Sequence, residues 1–133
     1  MAIKIQSNHS LNSKVVVASV SFSKSAVLRE ELLNFFPNSI FNETGKRLSG
    51  EQLIEFINDA DAAIIGVETI NDTLLEQTPK LKIISKYGVG LDNIDLESLK
   101  NRDIFLGWTG GTNKRSVSEL TLCFMLGLCR NVF

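Results

Sequence analysis

Five short apolar runs, separated by segments with helical periodicity, constrain the fold of this chain more than any other feature of its sequence. The first run, at residues 14–20, is rich in β-branched valine, and the others lie at residues 39–42, 62–66, 81–86 and 104–107. A short β-branched run of this kind is typical of a strand that is covered on both faces. Strands that alternate with helices predict an α/β fold with a doubly wound, parallel, five-stranded sheet.

The order of these strands is limited by the handedness of their connections. Right-handed crossovers allow few arrangements of five parallel strands, and among these we predict the flavodoxin-like order 2-1-3-4-5. The 133 residues of the chain are enough for one hydrophobic core. Residues 1–13 are polar and are predicted to be a loose lead-in to the first strand.

Local signals predict where the helices begin and end. Residues 23–25, Ser-Lys-Ser, are expected to start the first helix, which Pro37 ends. Residues 49–52, Ser-Gly-Glu-Gln, fit a capping box ahead of a second helix. Asn71 and Asp95 are expected to cap two further short helices with their side chains.

A long apolar helix is predicted over residues 116–132, and a second capping box, Ser-Val-Ser-Glu, marks its start. Little polar surface remains behind this start, because the following residues are apolar: Leu120, Leu122, Cys123, Phe124, Met125, Leu126 and Leu128. A helix that is apolar on nearly all sides must be buried on most of them, so we expect a partner surface. We predict a homodimer or larger homo-oligomer built on Val117, Leu120, Phe124 and Leu128.

The composition and charge of the chain exclude several classes of function. With 44% hydrophobic and 22% charged residues, it has the composition of an ordinary soluble globular protein. A net charge of −1 gives no basic surface, so we expect no nucleic-acid partner. No apolar run approaches the roughly 18 residues that span a bilayer, and no signal-peptide core is visible, so a cytoplasmic protein without membrane contact is expected.

The cysteines and the single histidine do not indicate a metal site or a catalytic base. Cys123 and Cys129 lie six residues apart on the predicted helix and point in different directions, so we expect reduced core thiols. His9 falls in the polar lead-in, where a solvated surface position is expected. We therefore assign no metal ligand and no catalytic residue.

The loop that follows the predicted strand at residues 81–86 is a candidate carboxylate site. It reads Tyr-Gly-Val-Gly-Leu-Asp-Asn-Ile-Asp, and glycines at 88 and 90 let main-chain N–H groups approach a small anion that a Cβ would keep away. The spacing is not the dinucleotide fingerprint, whose third glycine would fall at Asn93. A tight strand-to-helix turn, in which Asp95 caps the next helix, is the alternative interpretation.

A second motif, Asn-Lys-Arg-Ser-Val-Ser-Glu-Leu at residues 113–120, opens the long apolar helix. Together, Gly-Val-Gly-x-Asp-Asn-Ile-Asp and Asn-x-x-Ser-Val-x-Glu-Leu resemble the NAD-dependent D-2-hydroxyacid dehydrogenases, phosphoglycerate dehydrogenase being the closest kind. The resemblance runs clearly over residues 81–131 and rests upstream on the matching order of strands and helices. Asp92 and Asn93 also match the motif, although short polar side chains in a tight turn commonly bond to nearby backbone instead.

The resemblance implies a substrate-binding role. By it, the N–H groups of Val89 and Gly90 would face the carboxylate of a small 2-hydroxy or 2-keto acid, and Gly88 would give the turn its conformational freedom. Ser116 and Val117 would lie near the nicotinamide of NAD, although helix capping and core packing explain both residues equally well. The implied domains are a flavodoxin-like substrate-binding domain at residues 1–107 and a hinge with a crossover helix at residues 108–133.

Hydride transfer also needs a dinucleotide cradle, a cation for the substrate carboxylate and an acid or base for the hydroxyl proton. The resembled family supplies these with a Gly-x-Gly-x-x-Gly turn, an arginine and a histidine paired to a glutamate, all downstream of the matching region. No Gly-x-Gly-x-x-Gly occurs in this sequence. We therefore expect a substrate-binding fragment that does not bind NAD tightly and shows no turnover alone.

Two features leave other interpretations open. Trp-Thr-Gly-Gly at residues 108–111 stands where relatives usually carry asparagine or threonine and then proline, so the hinge is expected to be looser. The alternative function is a non-catalytic flavodoxin-like binding or oligomerisation module. Residues 20–25, Val-Ser-Phe-Ser-Lys-Ser, lack the acidic pair of a phosphoacceptor domain and the glycine of a flavin phosphate loop, which disfavours both of those versions.

Overall fold

Five parallel strands form one sheet in the computed structural model, which describes residues 13–133. In chain order the strands are β1 (Val15–Val17), β2 (Ile40–Phe41), β3 (Ala62–Ile65), β4 (Ile83–Lys86) and β5 (Phe105–Gly107). Their order across the sheet is β2-β1-β3-β4-β5 with every pair parallel, which confirms the predicted order. Residues 1–12 of the predicted lead-in, His9 included, lie outside the described residues.

The described residues form six helices, five of which lie in the crossovers between parallel strands. They are α1 (Val20–Lys24), α2 (Ala26–Phe35), α3 (Glu51–Ile57), α4 (Asp72–Glu76), α5 (Leu96–Asn101) and α6 (Lys114–Cys129). Helices α1 and α2 follow β1, and α3, α4 and α5 follow β2, β3 and β4 in turn. This alternation confirms the predicted α/β class, and α6 is the predicted long C-terminal helix.

The hydrophobic core lies on the face of the sheet that α3, α4 and α5 cover. Val16, Ala63 and Ile84 occupy one row of this face, because parallel pairing aligns them across β1, β3 and β4. All three are fully buried, and they share a cluster with helix residues Leu53, Ile57, Leu75 and Leu99. Burying each large aliphatic side chain contributes about 1.5–3 kcal/mol, so this face holds much of the folding free energy.

The opposite face of the sheet is covered at β1 but open at β4 and β5. Val15 and Val17 are buried, as predicted for a strand with neighbours on both faces. By contrast, Phe105 is 75% exposed and Ile83 is also exposed. None of the residues of α2, which lies nearest to this region, is buried. A groove of about 420 Å³ lies on this face between α2 and the strands β1, β3 and β4, and Leu32 of α2 forms part of its wall.

Two predicted helix caps are confirmed by side-chain hydrogen bonds. The Asn71 side chain accepts from the Leu74 N–H at 3.0 Å at the start of α4. The Asp95 carboxylate accepts from the Ser98 N–H at 3.0 Å at the start of α5. The backbone N–H and the hydroxyl of Ser98 lower the pKa of the Asp95 carboxyl, because both hydrogen bonds favour its charged form.

The capping box predicted at residues 49–52 is wrong. The N-cap of α3 is Gly50, which adopts a φ of 54° and offers no side-chain hydrogen bond, so Ser49 lies one residue too early to cap the first turn. The first helical segment is also divided, because the Ser25 side chain caps α2 by accepting from the Leu28 N–H at 3.4 Å. The predicted start at residues 23–25 therefore matches α2, and the sequence patterns did not predict α1.

The second predicted capping box is wrong as well. Since α6 begins at Lys114, Ser116 and Glu119 lie inside the helix rather than at its first turn. Glu119 pairs instead with Arg115, whose Nε lies 2.8 Å from its carboxylate. Residues four apart face each other on a helix surface, so this pair supports the earlier start.

The side chains of α6 are mostly exposed in the described chain, and the partner surface predicted for this helix stays a prediction. Gly127 is the one buried residue in α6. The prediction of core thiols is wrong, because Cys123 and Cys129 are free and exposed on this helix. Their exposure follows from the position of α6 after the last strand, where no described residues pack against most of its surface. Among the residues that the structure describes, no helix has the length and apolar character to cross a membrane.

The confirmed cap and the failed capping box give a matched test of the local structure. We expect Asn71→Ala to lower the free energy of unfolding by about 1 kcal/mol, because it removes the acceptor for the Leu74 N–H. Ser49→Ala is the control and is expected to change it by less than about 0.5 kcal/mol, since Ser49 caps no helix. Urea titration followed by circular dichroism measures both changes, and equal losses would contradict the assignment.

Candidate functional site

A cleft of about 540 Å³ opens at the carboxyl ends of β3 and β4. Ligands of open α/β proteins commonly bind at this edge of the sheet, where loops from neighbouring strands meet. The loop after β3 contributes Gly66, Val67 and Thr69, and the loop before α3 contributes Arg47. The remaining lining comes from Lys86 and the loop that follows it: Tyr87, Gly88, Val89, Gly90, Asp92 and Asn93.

The three residues predicted to bind substrate, Gly88, Val89 and Gly90, all line this cleft. Gly88 has a φ of 143°, a backbone conformation that other residues rarely adopt. A Cβ on Gly90 would lie 2.7 Å from a side-chain oxygen of Asp92, which is exposed and can move aside. Within residues 13–133, the N–H groups of Val89 and Gly90 have no hydrogen-bond partner. The loop therefore leaves two backbone donors unused beside the cleft.

The backbone N–H and the carbonyl of Gly66 are both hydrogen-bonded on the floor of the cleft. Its N–H donates to the Glu68 carboxylate at 2.6 Å, and its carbonyl accepts from Lys86 Nζ and from the Asn93 side-chain amide at 3.3 Å. The Asn93 amide also donates to the Glu68 carbonyl, and its oxygen accepts from Lys86 Nζ at 2.7 Å. Asn93 thus connects the loop after β3 to the loop after β4.

Sequence patterns missed the roles of Gly66 and Glu68 and predicted the wrong partners for Asn93. Turn chemistry indicates bonds from Asn93 to nearby backbone, yet the two carbonyls it contacts lie 27 and 25 residues earlier in the chain. Glu68 is 1% exposed. Charged side chains are rarely buried without a partner, and the partner of Glu68 is the Gly66 N–H. The position of Glu68 just after the third apolar run was the available signal, because that run ends at the edge of the sheet.

Trp108 links the hinge region to the glycine loop. Its indole Nε1 donates to the Val89 carbonyl at 3.1 Å. A Cβ on Gly110 would lie 2.7 Å from the same indole ring, and Gly111 has a φ of 70°. The two hinge glycines therefore permit a specific turn beside Trp108, which the expectation of a looser hinge did not include.

A second cleft of about 570 Å³ lies between the ends of β4 and β5, with Thr112 on its wall.

The residues predicted to lie near NAD are not brought to either cleft. Ser116 and Val117 are exposed in the first turns of α6, and neither lines the cleft at β3 and β4 or the one at β4 and β5. In the described part of the chain, no group of three or more His, Cys, Asp or Glu side chains is placed to hold a metal ion.

The bridging role of Asn93 can be measured as stability. We expect Asn93→Leu to lower the free energy of unfolding by about 1–3 kcal/mol, because the Glu68 carbonyl loses its donor and the Gly66 carbonyl loses one of its two donors in a part-buried site. Asn101→Leu, at an exposed position at the end of α5, is the control and should change it by less than about 0.5 kcal/mol. Indistinguishable denaturation midpoints for the two variants would show that the bridge contributes little.

Comparison with known proteins gives a family match over most of the chain. The model for D-isomer specific 2-hydroxyacid dehydrogenase, catalytic domain, matches residues 15–125. D-3-phosphoglycerate dehydrogenase of Methanocaldococcus jannaschii is 37% identical over 92 residues, which are 68% of this chain and 17% of that protein. Hydroxypyruvate reductase of Thermotoga maritima is 32% identical over 90 residues, 67% of this chain and 29% of that protein. The chain thus spans less than a third of the length of either relative.

A solved structure shows the same fold. The NAD+-bound 3-phosphoglycerate dehydrogenase of Entamoeba histolytica superposes with a TM-score of 0.68 at 28% identity, covering 86% of this chain and 38% of that one. The region matched by the family model contains all five strands and the whole glycine loop. With its fold, its glycine loop and this match together, the chain belongs to the D-isomer specific 2-hydroxyacid dehydrogenase family.

Proposed function

We propose that this chain supplies the substrate-binding part of an NAD-dependent oxidoreductase that acts on small D-2-hydroxy or 2-keto acids. The observation that carries the proposal is that the N–H groups of Val89 and Gly90 have no hydrogen-bond partner among residues 13–133 and lie beside an open cleft at the carboxyl ends of parallel strands. The similarity to proteins named hydroxypyruvate reductase and D-3-phosphoglycerate dehydrogenase supports a small acid as the ligand.

The glycine loop suits a carboxylate for electrostatic reasons. Hydrogen bonds from backbone N–H groups to an ionised acceptor contribute about 1.5–3 kcal/mol each. Lys86, held by the Gly66 carbonyl and Asn93, adds a positive charge to the floor of the cleft. In this role the loop binds and orients the acid, so that its 2-position faces the open side of the cleft.

We propose that this chain by itself does not bind NAD tightly. A Gly-x-Gly-x-x-Gly turn, whose backbone holds the pyrophosphate, is missing from the sequence. Ser116 and Val117 lie on the exposed surface of α6 rather than in a cleft. We propose that residues 1–107 bind the substrate and that residues 108–133 form a hinge and crossover helix toward a nucleotide-binding domain. NAD would supply the hydride, and no step of that transfer is assigned to this chain.

Removing one donor tests the carboxylate site. We expect Val89→Pro to raise the Kd for hydroxypyruvate at least about tenfold, because proline has no N–H to donate. Val89→Ala, which keeps the N–H and shortens the side chain, is the control and should leave the Kd within about twofold. Titration of the 15N-labelled chain, followed by NMR, measures binding and shows which amides shift. Equal Kd values for both variants would place the carboxylate elsewhere.

Self-association through α6 is a second proposal, which the exposure of its apolar side chains favours. Val117, Leu120, Phe124 and Leu128 lie three or four residues apart, so they form one stripe along the helix, and each is at least half exposed. Covering apolar surface contributes about 25 cal/mol per Å², so a second copy of this stripe provides a favourable partner. We propose a homo-oligomer built on this stripe.

A charge on the stripe tests the proposed assembly. We expect Phe124→Asp to convert the oligomer to monomer in sedimentation velocity at micromolar concentrations, because burying an unpaired carboxylate is strongly unfavourable. Leu126→Asp is the control, since Leu126 is 67% exposed on the opposite side of α6, and it should leave the sedimentation coefficient unchanged. Monomeric unsubstituted protein, or dissociation by both variants alike, would contradict the stripe as the interface.

A further inference from the structure

Trp108 reaches the glycine loop because of the register between the last two strands. Parallel pairing places Gly107 of β5 opposite Ser85 of β4, so the chain leaves both strands at the same edge of the sheet. Trp108 is the first residue after β5, and its indole Nε1–H donates to the Val89 carbonyl at 3.1 Å, 19 residues earlier in the chain. The last strand thus supplies the glycine loop with a side-chain donor.

This contact orients one of the two backbone donors of the loop. The Val89 carbonyl and the Gly90 N–H belong to a single peptide group, which is planar, and the described chain contains no cis peptide bond. In a trans peptide group the carbonyl and the N–H point in opposite directions. Because Trp108 holds the carbonyl on its own side, the Gly90 N–H is turned to the other side of the loop.

The residues at the two ends of this contact line different clefts. Val89 and Gly90 line the cleft at the ends of β3 and β4. Trp108 lines the second cleft, between the ends of β4 and β5, and does not line the first. Within residues 13–133, the Gly90 N–H has no hydrogen-bond partner. Trp108 therefore acts from outside the first cleft on a donor that remains available beside it.

The indole ring of Trp108 lies directly against the backbone of Gly110. A Cβ at residue 110 would lie 2.7 and 2.8 Å from the ring carbons Cη2 and Cζ2, so the ring would have to shift to admit one. Unlike Gly111, Gly110 does not have a positive φ. Glycine is therefore needed at residue 110 for space rather than for backbone conformation, and it permits the ring position from which Nε1 reaches the loop.

We propose that Trp108 is a positioning residue for substrate binding, whose indole holds the peptide group between Val89 and Gly90 so that the Gly90 N–H is directed at the carboxylate of the ligand. The inference rests on the proposed function, since the glycine loop must bind that carboxylate. Trp108 itself does not touch the ligand. A donor on the carbonyl also polarises the peptide group, which strengthens the hydrogen bond that its N–H gives.

The role of the N–H can be separated from that of the ring, because Trp108 is the single tryptophan of the chain. Biosynthetic replacement of tryptophan by benzothienylalanine keeps the size of the ring system and puts sulfur in place of the N–H, and Trp108→Phe removes the donor by mutation. We expect each change to raise the Kd for hydroxypyruvate about three- to tenfold, the cost of one hydrogen bond. Phe105→Leu is the matched control, because it alters an exposed aromatic side chain at the other end of β5, and it should leave the Kd within about twofold.

NMR titration of the 15N-labelled chain adds a readout that a merely structural role would not move. The indole Nε1–H of the unsubstituted protein should shift with the same Kd as the Gly90 amide, because both N–H groups are joined through one peptide group. Saturating hydroxypyruvate should shift the Gly90 amide less in Trp108→Phe than in the unsubstituted protein. The Val89 amide belongs to the preceding peptide group and should keep its shift.

Gly110→Ala tests the same contact without replacing the tryptophan. Its Cβ should displace the indole ring and raise the Kd by a similar factor. In the Trp108→Phe background it should add no further loss, because phenylalanine lacks the two ring carbons that the Cβ would meet.

Unchanged Kd values for Trp108→Phe and for the benzothienylalanine protein would overturn the inference. A loss of binding in Trp108→Phe that the benzothienylalanine protein does not share would assign the effect to ring packing and would equally overturn it. If Val89→Pro leaves hydroxypyruvate binding unchanged, the proposed function fails. If Val89→Pro weakens binding while neither change at Trp108 does, only the role of Trp108 fails.

Discussion

The parallel pairing of β3 with β4 determines where the cleft can form. Their register places Ile65 opposite Lys86, and the Tyr87 N–H donates to the Ile65 carbonyl at 2.7 Å, so both chains leave the sheet side by side. The two loops can then be joined by a single side chain, Asn93, which contacts the peptide group of Gly66. The glycine turn depends on this junction, because Asn93 belongs to the same loop.

Apolar burial is distributed unevenly over the molecule, and this separates stability from assembly. The face under α3, α4 and α5 is closely packed around Ala63 and Ile84, so the sheet and the cleft have a rigid support. The other face leaves Phe105 exposed, and α6 exposes most of its apolar side chains. Proteins rarely leave large contiguous apolar patches open to water, and this is the physical basis of the proposed assembly through α6.

The donors that line the cleft suit the binding of an anion, as the proposed function requires. They are the backbone N–H groups of the glycine loop and two cations, Lys86 and Arg47, that reach the cleft from different loops. No described cluster of acidic or sulfur ligands competes with this role. Membership of the D-isomer specific 2-hydroxyacid dehydrogenase family agrees with such a site, since a carboxylate is common to every 2-hydroxy acid.

The sequence by itself determined the features that depend on neighbouring residues. The caps at Asn71 and Asp95 followed from hydrogen bonds that span three residues. The handedness of the crossovers limited the strand order to a few arrangements, and the predicted one is observed. The sequence also predicted conformational freedom at Gly88, and its φ of 143° is one that residues with a side chain rarely adopt.

Only the tertiary structure buried Glu68 and brought Arg47 to the rim of the cleft. Asn93 donates to two carbonyls that lie 25 and 27 positions away, and no spacing rule encodes contacts of that length. The exposure of α6 was likewise decided by what packs around it rather than by its own pattern. Periodicity shows that a face is apolar, but burial requires a second surface, and that surface is specified by distant parts of the fold.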